Sequence, residues 1–173
     1  KMSNNEQKSI WYVVRSKPRQ EQRAKLNLEN QGITTFLPML DIEKIKRGKK
    51  TLATEPLFPG YLFIEVDDFT ASFHKVRSTF GVSKLLMFGD QPATLSQAQI
   101  DAMSELNEAK EKAQKYALPQ QGEEVEITEG PFKGFLAKVV KLDGEERCIV
   151  LLNWLQQEVE AILEHTQIKR LSQ

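Results

Sequence analysis

The chain has 173 residues, 40% of them apolar and 28% charged, with a formal net charge of zero. That length fits one ordinary domain or two small ones, and the apolar share is enough for a core. A single cysteine, Cys148, excludes an internal disulfide framework and a multi-cysteine zinc site, and no run approaches the roughly 18 apolar residues of a membrane span.

The polar opening KMSNNEQKS has no apolar signal-peptide core and reads as a tail, which together with the lone cysteine points to a cytoplasmic setting. Residues 10–16, IWYVVRS, predict a strand that ends at Lys17-Pro18. Residues 19–31 are rich in helix formers, carry Ala24 and Leu28 as a narrow apolar face, and stop at Gly32. Residues 33–40, ITTFLPML, return to strand character. Residues 42–54 predict a polar hairpin, with Lys44, Lys46, Arg47, Lys49 and Lys50 crowded around a turn at Gly48. Residues 55–66, EPLFPGYLFIEV, form the densest aromatic strand, with Pro56, Pro59 and Gly60 as turn residues at its start. Such a strand belongs either in the chain's own core or on a surface offered to a partner.

A helix over 69–79, a strand over 82–88, a loop over 89–94 and a helix over 97–106 capped by Ser96 complete this half. The alternation predicts an α+β sandwich. Residues 108–120 read as a linker between a domain at 9–107 and a smaller one at 121–173. The second unit gives divided signals. Val125 and Ile127 alternate with acids, GPFKG (130–134) reads as a turn and Asp143-Gly144 as a hairpin, which together predict a small β-barrel. Yet Ile149, Leu152, Leu155, Val159, Ile162 and Leu163 share one helical face, and Phe132, Phe135, Leu136, Val139 and Val140 also keep helical spacing. Two readings stand: an element with two states, or an ordinary strand buried on both faces.

No catalytic constellation is present. The two histidines, His74 and His165, lack metal-ligand spacing, KRGKK lacks the phosphate-loop pattern, and Cys148 sits in an apolar run. The sequence therefore predicts neither an enzyme nor a cofactor or metal. Charge is asymmetric: residues 1–55 hold 12 Lys/Arg against 6 Asp/Glu, a balance of +6, and the remainder carries −6. Lys17, Arg19, Gln20 and Arg23 cluster at a strand-to-helix junction, where cations can neutralise phosphates and an amide can bond a base edge.

The order of motifs, WYVV near the start, EPLFPGYLFIEV, FGV at 80–82 and GEEVEITEGPFKGFLAKV, resembles the NusG family of transcription elongation factors, the last motif its KOW domain. IEKIKRGKK, EPLFPGYLF and LLNWLQQEVEAIL with a terminal KRL are similar to the family's operon-specific RfaH branch. The resemblance implies a NusG-type N-terminal sandwich. It implies a KOW-type C-terminal domain that switches between an α-helical hairpin, closed over the first domain, and a released five-stranded β-barrel. The implied partners are RNA polymerase, at the clamp helices of its largest subunit and the gate loop of its second, the non-template DNA strand, and the ribosome through a small-subunit protein. No membrane is implied, and the chain is expected as a monomer.

Phe58, Tyr61, Phe63, Phe88 and Ile100 match the polymerase-facing surface, and Lys17, Gln20, Arg23 and Thr79 the DNA-contacting one, to which the basic cluster adds Arg19. Glu55 and Arg147 match an inter-domain lock, and Phe132, Phe135, Val139, Leu152, Leu155 and Val159 the mask. The family's His-Thr-Thr gate-loop contact falls on Ser72, Phe73 and His74, and a DNA-contacting arginine of related proteins is replaced by Phe80. The alternatives are a general elongation factor without fold switching and a ribosome-associated KOW RNA-binding protein.

Overall fold

The computed structural model describes residues 10–106 and 130–171, with side chains through Glu164. The central strand is β1 (Ile10–Ser16). On one side it pairs antiparallel with β5 (Tyr61–Glu65), which in turn pairs with β2 (Thr34–Phe36). Its other side is shared: the C-terminal half pairs with β6 (Val82–Leu85) and the N-terminal half with β9 (Thr94–Ser96).

Period-two alternation assigns the two faces of this sheet. Trp11, Val13, Tyr61 and Phe63 enter one buried cluster, and Val14, Leu62 and Ile64 enter another. Helix α1 (Glu21–Asn30) contributes Ala24 and Leu28 to the second cluster, and α2 (Phe69–Arg77) contributes Val76. Helix α3 (Gln97–Ser104) supplies Ile100 and Met103 to the first. Ser96 starts α3 with a capping box to Gln99, as its sequence predicts.

The basic hairpin forms from β3 (Met39–Lys46) and β4 (Lys49–Pro56). Arg47 and Gly48 both take positive φ, 52° and 76°, as a two-residue hairpin turn requires. The predicted strand over 33–40 is broken at Leu37-Pro38, where proline has no N–H for a ladder. The predicted strand over 82–88 is likewise divided: β6 ends at Leu85, and the Leu86 carbonyl accepts the Ala93 N–H at 3.1 Å. The expected loop at 89–94 contains a tight ladder, β7 (Met87–Phe88) with β8 (Gln91–Pro92).

The C-terminal half departs most from its turn signals. Gly130, at φ 105°, precedes helix α4 (Pro131–Val139), so GPFKG is a helix start with proline in its first turn and not a hairpin turn. Asp143-Gly144 is not a hairpin either. The Asp143 carboxylate accepts the Glu146 N–H at 2.8 Å and caps α5 (Gly144–Leu171). Helical periodicity over 149–163 prevails, and the reading of that run as a doubly buried strand is overturned. The predicted linker, Val125 and Ile127 lie outside the described residues. No helix among the described residues is long and apolar enough to cross a membrane.

Candidate functional site

Two surfaces carry the sequence-predicted residues. The first is an apolar face of the sheet covered by α4 and α5. Phe58, Tyr61, Phe63 and Ile100 share one buried cluster with Phe132, Leu136, Val139, Leu151 and Leu155, and Phe88, Phe135, Leu152 and Trp154 pack at its margin. Phe58 meets Phe63 edge-on at 6.4 Å. In the cover, Phe135 and Trp154 lie 4.8 Å apart, and Phe132 lies 5.7 Å from Trp154.

The buried row on α5 is Arg147, Leu151, Leu155 and Val159, each one turn from the next. The stripe expected from sequence is therefore rotated: Ile149, Ile162 and Leu163 are exposed at 53%, 55% and 42%. The signal was obscured because the row begins with a charged residue. Leu136, Leu151 and Trp154 are cover residues missing from the mask expected by resemblance, although their spacing from Phe132 and Leu155 places the two leucines in it.

Arg147 is 1% exposed and is the largest fully buried side chain among the described residues. It is held by four acceptors. Nε donates to the Leu57 carbonyl at 2.6 Å, Nη1 to the Leu142 carbonyl at 2.9 Å, and Nη2 to Glu55 Oε1 at 2.5 Å and the Pro56 carbonyl at 3.3 Å. A buried guanidinium needs such matching, because leaving its donors unmet carries a large desolvation penalty. Lys44 approaches the other Glu55 oxygen at 3.8 Å. Beside this ion pair, the Cys148 thiol donates to the Pro59 carbonyl at 3.2 Å, and burial pushes that thiol up to about 11. Burial also raises the Tyr61 phenol, against the opposing pull of Arg15.

The second surface is a basic corner where the β1–α1 connection meets the α2–β6 turn. Lys17, Arg19 and Arg23 are exposed, and Gln20 is half-buried as the residue preceding α1. Arg19 holds φ at 60°, rare outside glycine. Thr79 is placed differently from its neighbours. It is buried, its hydroxyl donating to the Lys75 carbonyl at 2.7 Å and accepting from Gln31 Nε2 at 2.6 Å. Its geometry is that of an anchor for the turn. Ser72, Phe73 and His74 lie on α2; Phe73 packs against Phe69 at 5.7 Å in the second cluster, apart from the covered face. No group of three potential metal ligands occurs among the described residues.

A family model described as transcription termination factor nusG matches residues 9–104, and one described as the KOW motif matches residues 121–153. The "Transcription termination/antitermination protein NusG" of Helicobacter pylori is 32% identical, covering 82% of this chain and 86% of the relative. Those of Halalkalibacterium halodurans and Pasteurella multocida are each 28% identical, covering 93% and 98% of this chain and 98% and 99% of theirs. The chain belongs to the NusG family, whose named members are transcription termination and antitermination proteins.

Proposed function

We propose that this chain is an operon-specific antitermination factor of the RfaH type, acting without catalysis. It binds RNA polymerase through the apolar face around β5 and meets the non-template DNA strand at the basic corner. By occupying the polymerase it favours the processive state, since a ligand stabilises the state it contacts better. Pausing and termination are thereby suppressed, and the released C-terminal domain recruits the ribosome through a small-subunit protein. The observation that carries this reading is the cover: Phe58, Tyr61, Phe63 and Ile100 are buried under α4 and α5, pinned by Arg147 on Glu55. A binding face occupied by the chain's own tail lowers apparent affinity by the fraction of molecules that are open.

Fold switching is supported by a conflict between sequence and structure. The KOW match runs through residue 153, yet the described part of it is helical from Pro131. Far-UV circular dichroism of the full chain and of residues 115–173 alone tests the switch: the tail is expected helical in the first and β in the second, and β in both would sink it. For the corner, Lys17→Ala and Arg23→Ala are expected to reduce capture of a non-template oligonucleotide by the polymerase-bound protein. Unchanged capture removes the assignment.

A further inference from the structure

Phe80 has an aromatic ring where the family resemblance places an arginine, and the residue is 71% exposed. It is the only aromatic among the large exposed apolar side chains of the described residues. Lone exposed apolar residues are ordinary on protein surfaces, but this one is built into position. Thr79 to Val82 form a turn closed by Val82 N–H on the Thr79 carbonyl at 3.1 Å, with Gly81 at φ 90°. That is the geometry of a type II turn, with glycine where positive φ is required.

The turn is fixed from several sides. Thr79 is tied to Lys75 and Gln31 through its hydroxyl. The Phe80 carbonyl accepts Asn27 Nδ2 at 3.3 Å, and the Gly81 carbonyl accepts the Lys17 N–H at 2.8 Å. Gly81 lies so close to α1 that a Cβ there would stand 2.7 Å from the Ala24 nitrogen. The turn that carries the ring is thus held in place within the basic corner, with the Arg23 guanidinium over the ring, 5.6 Å from its centroid.

We propose that Phe80 is a stacking platform for an unpaired base of single-stranded DNA, with Arg23 as its cationic partner. Every base has a π-face, so an aromatic ring beside cations that meet the backbone binds single strands with little demand on sequence. The cation over the ring adds attraction and keeps the guanidinium oriented towards the strand. This rests on the DNA-contacting reading of the corner, and the test separates the two.

Binding of the full chain to a short single-stranded DNA carrying 2-aminopurine is measured by anisotropy and fluorescence quenching across a salt series. Phe80→Leu is expected to weaken binding about tenfold and lose quenching, with the salt slope unchanged because no charge is removed. Phe80→Trp is expected to retain both. Arg23→Ala is expected to lower the salt slope by about one. If Phe80→Leu binds like the parent while Arg23→Ala loses affinity, stacking is wrong and the DNA reading stands. Loss in both Phe80→Leu and Phe80→Trp, or an equal loss by Phe80→Leu on a duplex of the same sequence, also overturns stacking. A parent chain that does not bind the oligonucleotide overturns the DNA reading itself. Because Phe80 is exposed, all these variants are expected to keep the parent's thermal unfolding midpoint.

Discussion

Arg147 concentrates the contact between tail and sheet in one side chain. Three of its four acceptors are backbone carbonyls, and only Glu55 supplies a charge. Glu55→Ala leaves the guanidinium buried without a counter-ion. Because the carboxylate is 29% exposed, the expected loss is on the order of 2 kcal/mol, below that of a fully buried pair. Amide hydrogen exchange along α5 measures it: faster exchange from Gly144 to Val159 is expected, and unchanged protection counts against the lock. Cys148 reports the same event chemically. Its pKa rises from 9.0 to about 11 mainly by burial. The group's contribution to the closed arrangement is therefore whole below about 9 and drains as pH climbs through about 11. At pH 8 the thiol is expected to react slowly with an aromatic disulfide reagent, and faster in Glu55→Ala. Equal rates in the two proteins would show that the tail does not shield it. At the far corner, Gly81→Ala meets both positive φ and the α1 backbone. It is expected to cost on the order of 3 kcal/mol, read as a lowered midpoint in chemical denaturation.

At the scale of elements, the close approach of α5 to the Pro59 turn sets a steric limit. A Cβ on Gly144 would stand 2.9 Å from Pro59 Cγ. Gly144→Val is expected to lift the start of α5, exposing Trp154 and red-shifting its emission. An unshifted spectrum would mean that the contact relaxes in place. Deeper in the cover, Leu155→Ala removes a fully buried side chain at a cost of about 2–5 kcal/mol to the closed arrangement. The first half was largely legible in sequence because its strands alternate and its turns carry glycine or proline. Leu62 and Ile64 face one cluster while Tyr61 and Phe63 face the other. What stayed illegible there depended on single backbone bonds, such as the Ala93 N–H on the Leu86 carbonyl at the division of the 82–88 strand. In the second half, local signals misled. Gly130-Pro131 and Asp143-Gly144 suit turns, but a proline in the first helical turn and an aspartate cap suit helices equally. Tertiary burial against β5 decides between them, and local turn chemistry carries no information about it. At the site, the Glu55–Arg147 contact was legible only by resemblance, since nothing in spacing pairs Glu55 with a residue 92 positions later. Phe80 was visible as a departure, but its exposure and its Arg23 neighbour were not.

For the whole molecule, the two surfaces respond differently to the tail. Removing the tail to leave residues 10–106 uncovers the face that holds Phe58, Tyr61 and Phe63 while keeping Lys17, Arg19 and Arg23. Under the proposed function this fragment binds polymerase more tightly than the full chain, by the reciprocal of the open fraction. A pull-down titration in which the fragment binds no better than the full chain would show that α4 and α5 do not mask the polymerase site. A cover carried on the same chain is a competitor whose effective concentration is set by its tether, typically on the order of millimolar, and is independent of how much protein is made. Doubling the number of molecules doubles the open and closed pools alike, and dilution uncovers nothing. Under the proposed function, the threshold for engagement is therefore written in the sequence and not in dosage, and it is crossed where polymerase and an exposed strand offer two footholds at once.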